Sequence, residues 1–303
     1  MSPIRTNWTR LVRFVATETS QVHIGEPVSP TLDVGLAISQ RIPVKAYEIV
    51  GSALNPDSQV SSKVLTVKEL LAPLSRDQIK VVRCLGLNYA DHAAEANLPK
   101  PNAPVLFYKP VTAIIGPNAP VIIPRVAQPV DKNLPDYEVE LTIVIGKPAK
   151  DVSEADALDY ILGYTAANDV SFRFHQMNVS QWGFSKGFDN TSPIGPCLVS
   201  AAAIPDPQSI ALKTVVNGQT LQDGTTADQI FTVRQTVSFL SSGTTLEPGT
   251  IIMTGTPKGV GFVKKPPLYL KHGDKMQLYM GEGIGSLINP VVEEGKPTLS
   301  AKL

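Results

Sequence analysis

Only two cysteines, Cys84 and Cys197, occur in the 303 residues, far apart and in no CxxC pattern. That scarcity excludes a disulfide framework and a thiolate zinc site, and makes a reducing compartment the default. No apolar run approaches bilayer length, so the chain reads as a soluble protein without membrane partners. Charge of one sign is also missing: 27 Lys and Arg balance 27 Asp and Glu. Nothing in that balance attracts nucleic acid. There is no internal repeat and no low-complexity tract. What remains is a globular composition, 43% hydrophobic and 18% charged, with 26 prolines that suit a strand-rich fold with many turns.

The termini bear on location. Arg5, Arg10 and Arg13 precede the first acid, Glu18, loosely in the manner of a transit peptide, but residues 11–15 read as a strand. Ala301-Lys302-Leu303 is a close variant of the Ser-Lys-Leu peroxisomal address, or else an accidental tripeptide on a tail. The expected location is cytoplasmic, with a peroxisomal alternative and a mitochondrial one behind it.

Periodicity predicts a small β-rich unit over residues 1–75, with strands at 11–16, 21–24 and 44–49 and a short helix plus connector at 65–74. A larger unit follows over 76–303. Its expected strands are 79–85, 105–108, 113–115, 121–123, 136–146, 164–170, 212–216 and 251–254. Helices are expected at 89–96, near 154–162 with Ser153 and Asp156 as a capping pair, and near 232–241. Strands dominate and βαβ alternation is rare, so the class is α+β.

The strand Asp136-Tyr137-Glu138-Val139-Glu140-Leu141 and onward is the chemical clue. Alternation puts Tyr137, Val139, Leu141, Ile143 and Ile145 on one apolar face, and Glu138 and Glu140 together on the other. Taken alone, alternating acids read first as a solvated charged face. As a metal-ligand pair they would need a third oxygen donor, and Asp169, where a polar residue interrupts the apolar strand 164–170, is the candidate. Three carboxylates without Cys or paired His suit a hard cation, Mg²⁺ first and Mn²⁺ or Ca²⁺ after it.

Three further pieces are weak singly. His92 and Glu95 are one helical turn apart, an arrangement for a general base or for ordinary surface chemistry. Lys186, in Ser185-Lys186-Gly187-Phe188-Asp189, reads as an exposed loop or as an electrophile for an oxyanion. Residues 254–261, Thr-Gly-Thr-Pro-Lys-Gly-Val-Gly, form a glycine-rich turn that lacks the Gly-Lys-Ser/Thr ending of a phosphate loop.

In this order the pieces, with Gly86-Leu87-Asn88-Tyr89-Ala90-Asp91-His92, Phe107-Tyr108-Lys109-Pro110, the block 163–171 and the block 185–196, resemble the fumarylacetoacetate hydrolase family over residues of about 80–290. Within the family, Gly86-Leu87-Asn88-Tyr89 looks like the variant of the domain-containing protein 2 branch. The resemblance implies a mixed β-roll or β-sandwich catalytic domain and a homodimer. It makes Glu138, Glu140 and Asp169 metal ligands for Mg²⁺, His92 and Glu95 the water-activating or proton-moving pair, and Lys186 the lysine facing substrate. Thr256, Arg173 and Gln176 become substrate-binding residues. The family's Ala-Arg-Asp-x-Gln block reads Phe172-Arg173-Phe174-His175-Gln176 here, which signals either a more apolar pocket wall or a local repacking.

The implied substrate is a small keto acid whose enolate forms at a metal. Hydrolytic C–C cleavage of an acylpyruvate-type compound leads. Oxaloacetate tautomerisation or decarboxylation is the alternative, and a non-catalytic metal-binding protein is the reading from another class.

Overall fold

Strand pairing, more than helix packing, organises the chain in the computed structural model, which describes residues 2–297. The first four strands are β1 (Arg10–Ala16), β2 (Val22–Pro27), β3 (Lys45–Val50) and β4 (Gln59–Leu71), with helix α1 (Val34–Ser39) between the second and third. They close on themselves, because β1 pairs with both β2 and β4 while β3 bridges the other sides of those two. The helix expected at residues 65–74 is therefore absent, and most of that segment is the end of β4. Lys68, Glu69 and Leu70 carry good helix propensity, but Leu65, Val67 and Leu70 reach the core as a strand that pairs with β3 up to Thr66 and with β1 from Val67 on.

The next strands are β5 (Val82–Gly86), β6 (Val105–Lys109), β7 (Ile114–Ile115), β8 (Val121–Ile123), β9 (Pro135–Asp136) and β10 (Val139–Ile145). Helices α2 (Ala90–Glu95) and α3 (Val130–Asn133) lie among them. After these come β11 (Ile161–Asn168), β12 (Ser171–Phe172), α4 (Arg173–Met177) and β13 (Ser192–Ser200). The last stretch holds β14 (Ala211–Val216), β15 (Gln219–Thr225), α5 (Val233–Ser241), β16 (Ile251–Met253), β17 (Lys275–Met280) and β18 (Gly285–Glu293).

Two sheets result, besides the short β12–β9 pair. The larger runs from the N-terminal strands through β1 into β13, β11, β10, β16, β5 and β6, and the smaller has the order β15-β14-β17-β18-β8. With few and short helices against so many strands, the class is α+β. A second expectation also fails. The helix near 154–162 shrinks to a single 3₁₀ turn, Ala157–Tyr160, before the chain extends as β11. The Asp156 N–H does donate to Ser153 Oγ at 3.2 Å, but in the turn before the 3₁₀ helix, whose N-cap is Asp156 with no side-chain cap bond. The helical stretch goes no further because every residue of β11 is buried between β10 and β13.

β10 carries the site, and both of its faces are covered. Val139, Leu141, Ile143 and Ile145 enter the larger core with Tyr137, while Val144 joins a second apolar cluster with Val82, Cys84, Ile251 and Met253. Full burial of such side chains stabilises by about 1.5–3 kcal/mol each. That anchoring fixes the register Glu140 opposite Ala167 and Val139 opposite Asn168. The glutamate face is thus no solvated surface. Glu138 and Glu140 are 5% and 1% exposed.

Candidate active site

The fold brings Glu138, Glu140 and Asp169 together. One carboxylate oxygen from each lies within 4.8 Å of the others, and all three residues are buried. Glu138 stands just before β10 and Glu140 within it. Asp169 follows the end of β11, where its N–H donates to the Glu138 carbonyl at 2.9 Å and Asn168 Oδ1 accepts the Glu138 N–H at 3.0 Å. Side-chain alternation and antiparallel register therefore converge three acids on one point.

Buried like charges need compensation, and it is unevenly supplied. Lys186 Nζ bridges Glu138 Oε2 at 2.7 Å and Asp169 Oδ2 at 2.6 Å. Lys109 Nζ reaches Asp169 Oδ1 at 2.5 Å. Arg173 Nη2 lies 2.6 Å from Glu138 Oε1 and 2.9 Å from Asp136 Oδ2. Among the described residues Glu140 pairs with no cation. Its Oε2 accepts only the N–H of Gly255, at 2.7 Å. Gly255 holds φ +89, a left-handed conformation that favours glycine and turns this N–H toward the carboxylate.

The charge states follow this asymmetry. Burial pushes the Glu140 carboxyl well above its ordinary range, and the charges of Asp169 and Glu138 push it further. Burial would raise Glu138 too, but Lys186 and Arg173 together hold it below the usual carboxylate range. Lys186 is itself raised: burial works against its charge, and Asp169 and Glu138 outweigh that. Glu140 is thus the acid whose negative charge the protein leaves for something else to neutralise. An all-oxygen set of this kind fits a hard divalent cation.

Beside the acids lies a cavity of about 370 Å³, within the usual size range of small-molecule sites. His92, Glu138, Arg173, Gln176, Lys186 and Thr256 supply its polar lining. His92 Nδ1 contacts Glu95 Oε1 at 2.8 Å across one turn of α2. Both Glu95 oxygens accept the Gly259 N–H at 2.9 Å, which ties α2 to the loop after β16. Thr256 Oγ1 accepts from Gln222 Nε2 at 2.8 Å, leaving its own hydrogen free to donate. Gln176 Oε1 accepts from Arg173 Nη1 at 2.8 Å, so its amide N–H groups remain for a ligand.

All nine residues singled out from the sequence lie in or directly behind this cavity. Phe172 and Phe174 do not line it, so of the two readings of that block the local repacking fits and the apolar pocket wall does not. Phe172 is wholly buried against Phe188, with ring centroids 4.9 Å apart, and Phe174 is 45% exposed beside His175. Ser171-Phe172 pairs with β9, Phe172 opposite Pro135.

Four contributors escaped the sequence reading. Lys109 ends an ordinary-looking strand in Phe107-Tyr108-Lys109-Pro110. The strand is only partly buried, so nothing in its pattern marks the buried Lys109 as different from a surface lysine. Asp136 accepts from Arg173 Nε at 2.9 Å and from the N–H groups of Gly261 and Phe262 at 2.7 and 3.0 Å, fastening the 261–262 loop to α4. Gln222 braces Thr256 from the second sheet, and Trp182 walls the cavity. Nothing local in the sequence marks these last two.

Residues 81–292 match the family model described as Fumarylacetoacetate (FAA) hydrolase C-terminal. The chain is 56% identical over 299 residues to "Caffeoylpyruvate hydrolase" of Neonothopanus nambi, covering 97% of this chain and 96% of that protein. It is 36% identical over 297 residues to "Oxaloacetate tautomerase fahd2, mitochondrial" of Xenopus laevis, covering 93% and 90%. Among solved structures, "2-hydroxyhepta-2,4-diene-1,7-dioate isomerase from Mycobacterium marinum" superposes with a TM-score of 0.77 at 37% identity, covering 95% of this chain and 100% of that one.

Proposed function

The chain belongs to the fumarylacetoacetate hydrolase family, and on that footing we propose that it hydrolyses a C–C bond in an acylpyruvate, releasing a carboxylic acid and pyruvate. The observation that carries this reading is the cavity itself. A charged base built on Glu138, Arg173 and Lys186 meets the His92–Glu95 pair on one wall and apolar side chains on the rest. The name of the 56% identical relative supports it.

Glu138, Glu140 and Asp169 would hold Mg²⁺, with Mn²⁺ or Ca²⁺ as weaker choices for the same oxygens. When bound, the ion supplies Lewis-acid polarisation of the keto acid. The protein's own groups do the remainder. Thr256 Oγ, the Gln176 amide and Arg173 orient the pyruvoyl carboxylate, and Lys186 faces the negative charge that develops at the adjacent keto oxygen. Glu95 accepts the His92 Nδ1–H, which leaves Nε2 as the base. Water adds to the distal carbonyl as Nε2 takes its proton. The C–C bond then breaks, its electron pair passes to the pyruvoyl carbon, and the proton returns from His92 to that carbon. Apolar walls keep other water away.

Oxaloacetate tautomerisation is the competing activity, named for the Xenopus relative. A second substrate carboxylate would want a further cation in the cavity, whose other lining includes apolar Leu98, Val105, Trp182 and Phe262. The test is an assay of the purified protein with Mg²⁺ on acylpyruvates and on enol-oxaloacetate. Acid plus pyruvate is expected from the former. Loss of the oxaloacetate enol signal with no acylpyruvate cleavage would overturn the hydrolase reading.

A further inference from the structure

The cavity's apolar end is organised around one close contact. Trp182 lies over Gly86, the last residue of β5, so tightly that a Cβ built on Gly86 would fall 2.1 Å from the indole Cζ3 and 2.7 Å from Cη2. A glycine in a strand commonly marks such a close approach. The ring also packs edge-on against Phe107 of the neighbouring strand, which pairs with Cys84, with centroids 5.6 Å apart. Lys186 Nζ stands 5.0 Å over that same Phe107 ring. Furthermore, the Trp182 carbonyl accepts the Lys186 N–H at 3.1 Å and Ser185 Oγ at 3.0 Å. A single turn therefore presents both the cation at the cavity base and the indole on its wall.

We propose that Trp182, seated on the bare backbone of Gly86, is the specificity-determining wall for the acyl end of the substrate and selects a flat aromatic or conjugated acyl group over a short alkyl one. The inference rests on the acylpyruvate reading and deepens it. A substrate held at its pyruvoyl end beside Lys186 extends its acyl group past the indole, because the two residues flank one ring. Val105, paired with Gly86 across β5 and β6, and Leu98 add apolar lining to the same cavity. A planar group gains both buried area and ring contact there, whereas a methyl group reaches neither.

Binding and turnover are measured separately. Calorimetry with Mg²⁺ present compares 2-oxo-4-phenylbutanoate with 2-oxopentanoate, which lack the distal carbonyl and cannot be cleaved. The native protein should bind the phenyl compound at least about tenfold more tightly. Trp182→Leu should reduce that ratio to about threefold or less, while Trp182→Phe retains most of it. Gly86→Ala, which keeps the indole but forces the ring to move, should lower the ratio as well. The kcat/KM ratio of benzoylpyruvate to acetylpyruvate should follow the same order. The turn that presents Lys186 uses the Trp182 backbone, so these side-chain changes leave it intact. Equal binding of the two analogues by the native protein, or an unchanged ratio in Trp182→Leu, overturns the proposal. Trp182-dependent binding of the phenyl compound without cleavage of either acylpyruvate supports the wall and overturns the hydrolase reading alone.

Discussion

Lys109 and Asp169 are joined, Nζ to Oδ1, at 2.5 Å with neither side chain exposed to solvent. Asp169 gives its other oxygen to Lys186. One carboxylate is therefore held from both sides before any cation arrives, and its orientation is set by β6 and the 182–186 turn together.

Removing Lys109 should be costly. Lys109→Met leaves a buried carboxylate partly uncompensated and is expected to destabilise the protein by about 3–5 kcal/mol. Urea unfolding of metal-free protein measures this. A loss under about 1 kcal/mol would mean that Lys186 alone satisfies Asp169.

Glu140 and Glu138 should respond differently to the same change. Glu140→Gln removes a charge that burial already disfavours, so the metal-free protein should melt at the same temperature or higher. Its stabilisation by added Mg²⁺, about 2.7 kcal/mol for the native protein at a hundredfold excess over Kd, should vanish. Glu138→Gln also leaves Lys186 and Arg173 underpaired and should lower the metal-free melting temperature. Retention of the Mg²⁺-induced shift in Glu140→Gln would remove Glu140 from the ligand set.

Catalysis and cation binding should separate at the α2 pair. His92→Asn is expected to lower kcat/KM on an acylpyruvate by about 10²–10⁴-fold, the usual worth of a general base, with the Mg²⁺-induced melting shift preserved. Glu95→Gln should give a smaller loss, since it acts through His92 and the Gly259 N–H. Loss of the Mg²⁺ shift in either variant would assign the pair to the metal site.

The two phenylalanines offer a contrast. Phe172→Ala should destabilise by about 3–5 kcal/mol, because its ring is wholly buried against Phe188. Phe174→Asp, at a position 45% exposed, should stay within about 0.5 kcal/mol of the native protein. Neither should change the ratio of aromatic to short-chain acylpyruvates cleaved. A shifted ratio would return them to the pocket wall.

A pH effect is expected at Asp91, whose pKa is raised by partial burial and then by the hydrogen bond and charge of Asp228. The folded state therefore holds this proton more readily than the unfolded chain. Stability from it is complete below the unfolded pKa and is lost as pH rises through the folded value. Asp91→Asn should raise the melting temperature at neutral pH, and the difference should close below about pH 3, where both states are protonated. A pH-independent difference would refute the assignment.

Much of the site was legible along the chain because its chemistry is written in short blocks. Alternation alone put Glu138 and Glu140 on one face of the extended stretch that runs into β10, and three-residue spacing put His92 beside Glu95 on α2. The α+β class followed from strand-like runs with few intervening helices. Two local readings failed where pairing overrode propensity: residues 65–71 became strand because β1 and β3 flank them, and 161–162 became strand between β10 and β13. The acidic face offered no sign of its burial, since alternation records which residues share a face but not what covers it. Only the tertiary structure decided that Lys109, Lys186 and Arg173 pair with Asp136, Glu138 and Asp169 and leave Glu140 without a cation among the described residues. It alone brought Trp182 onto Gly86, because contacts between distant segments depend on register and sheet order, which no local pattern encodes. Any account of peroxisomal targeting by Ala301-Lys302-Leu303 lies outside the described residues.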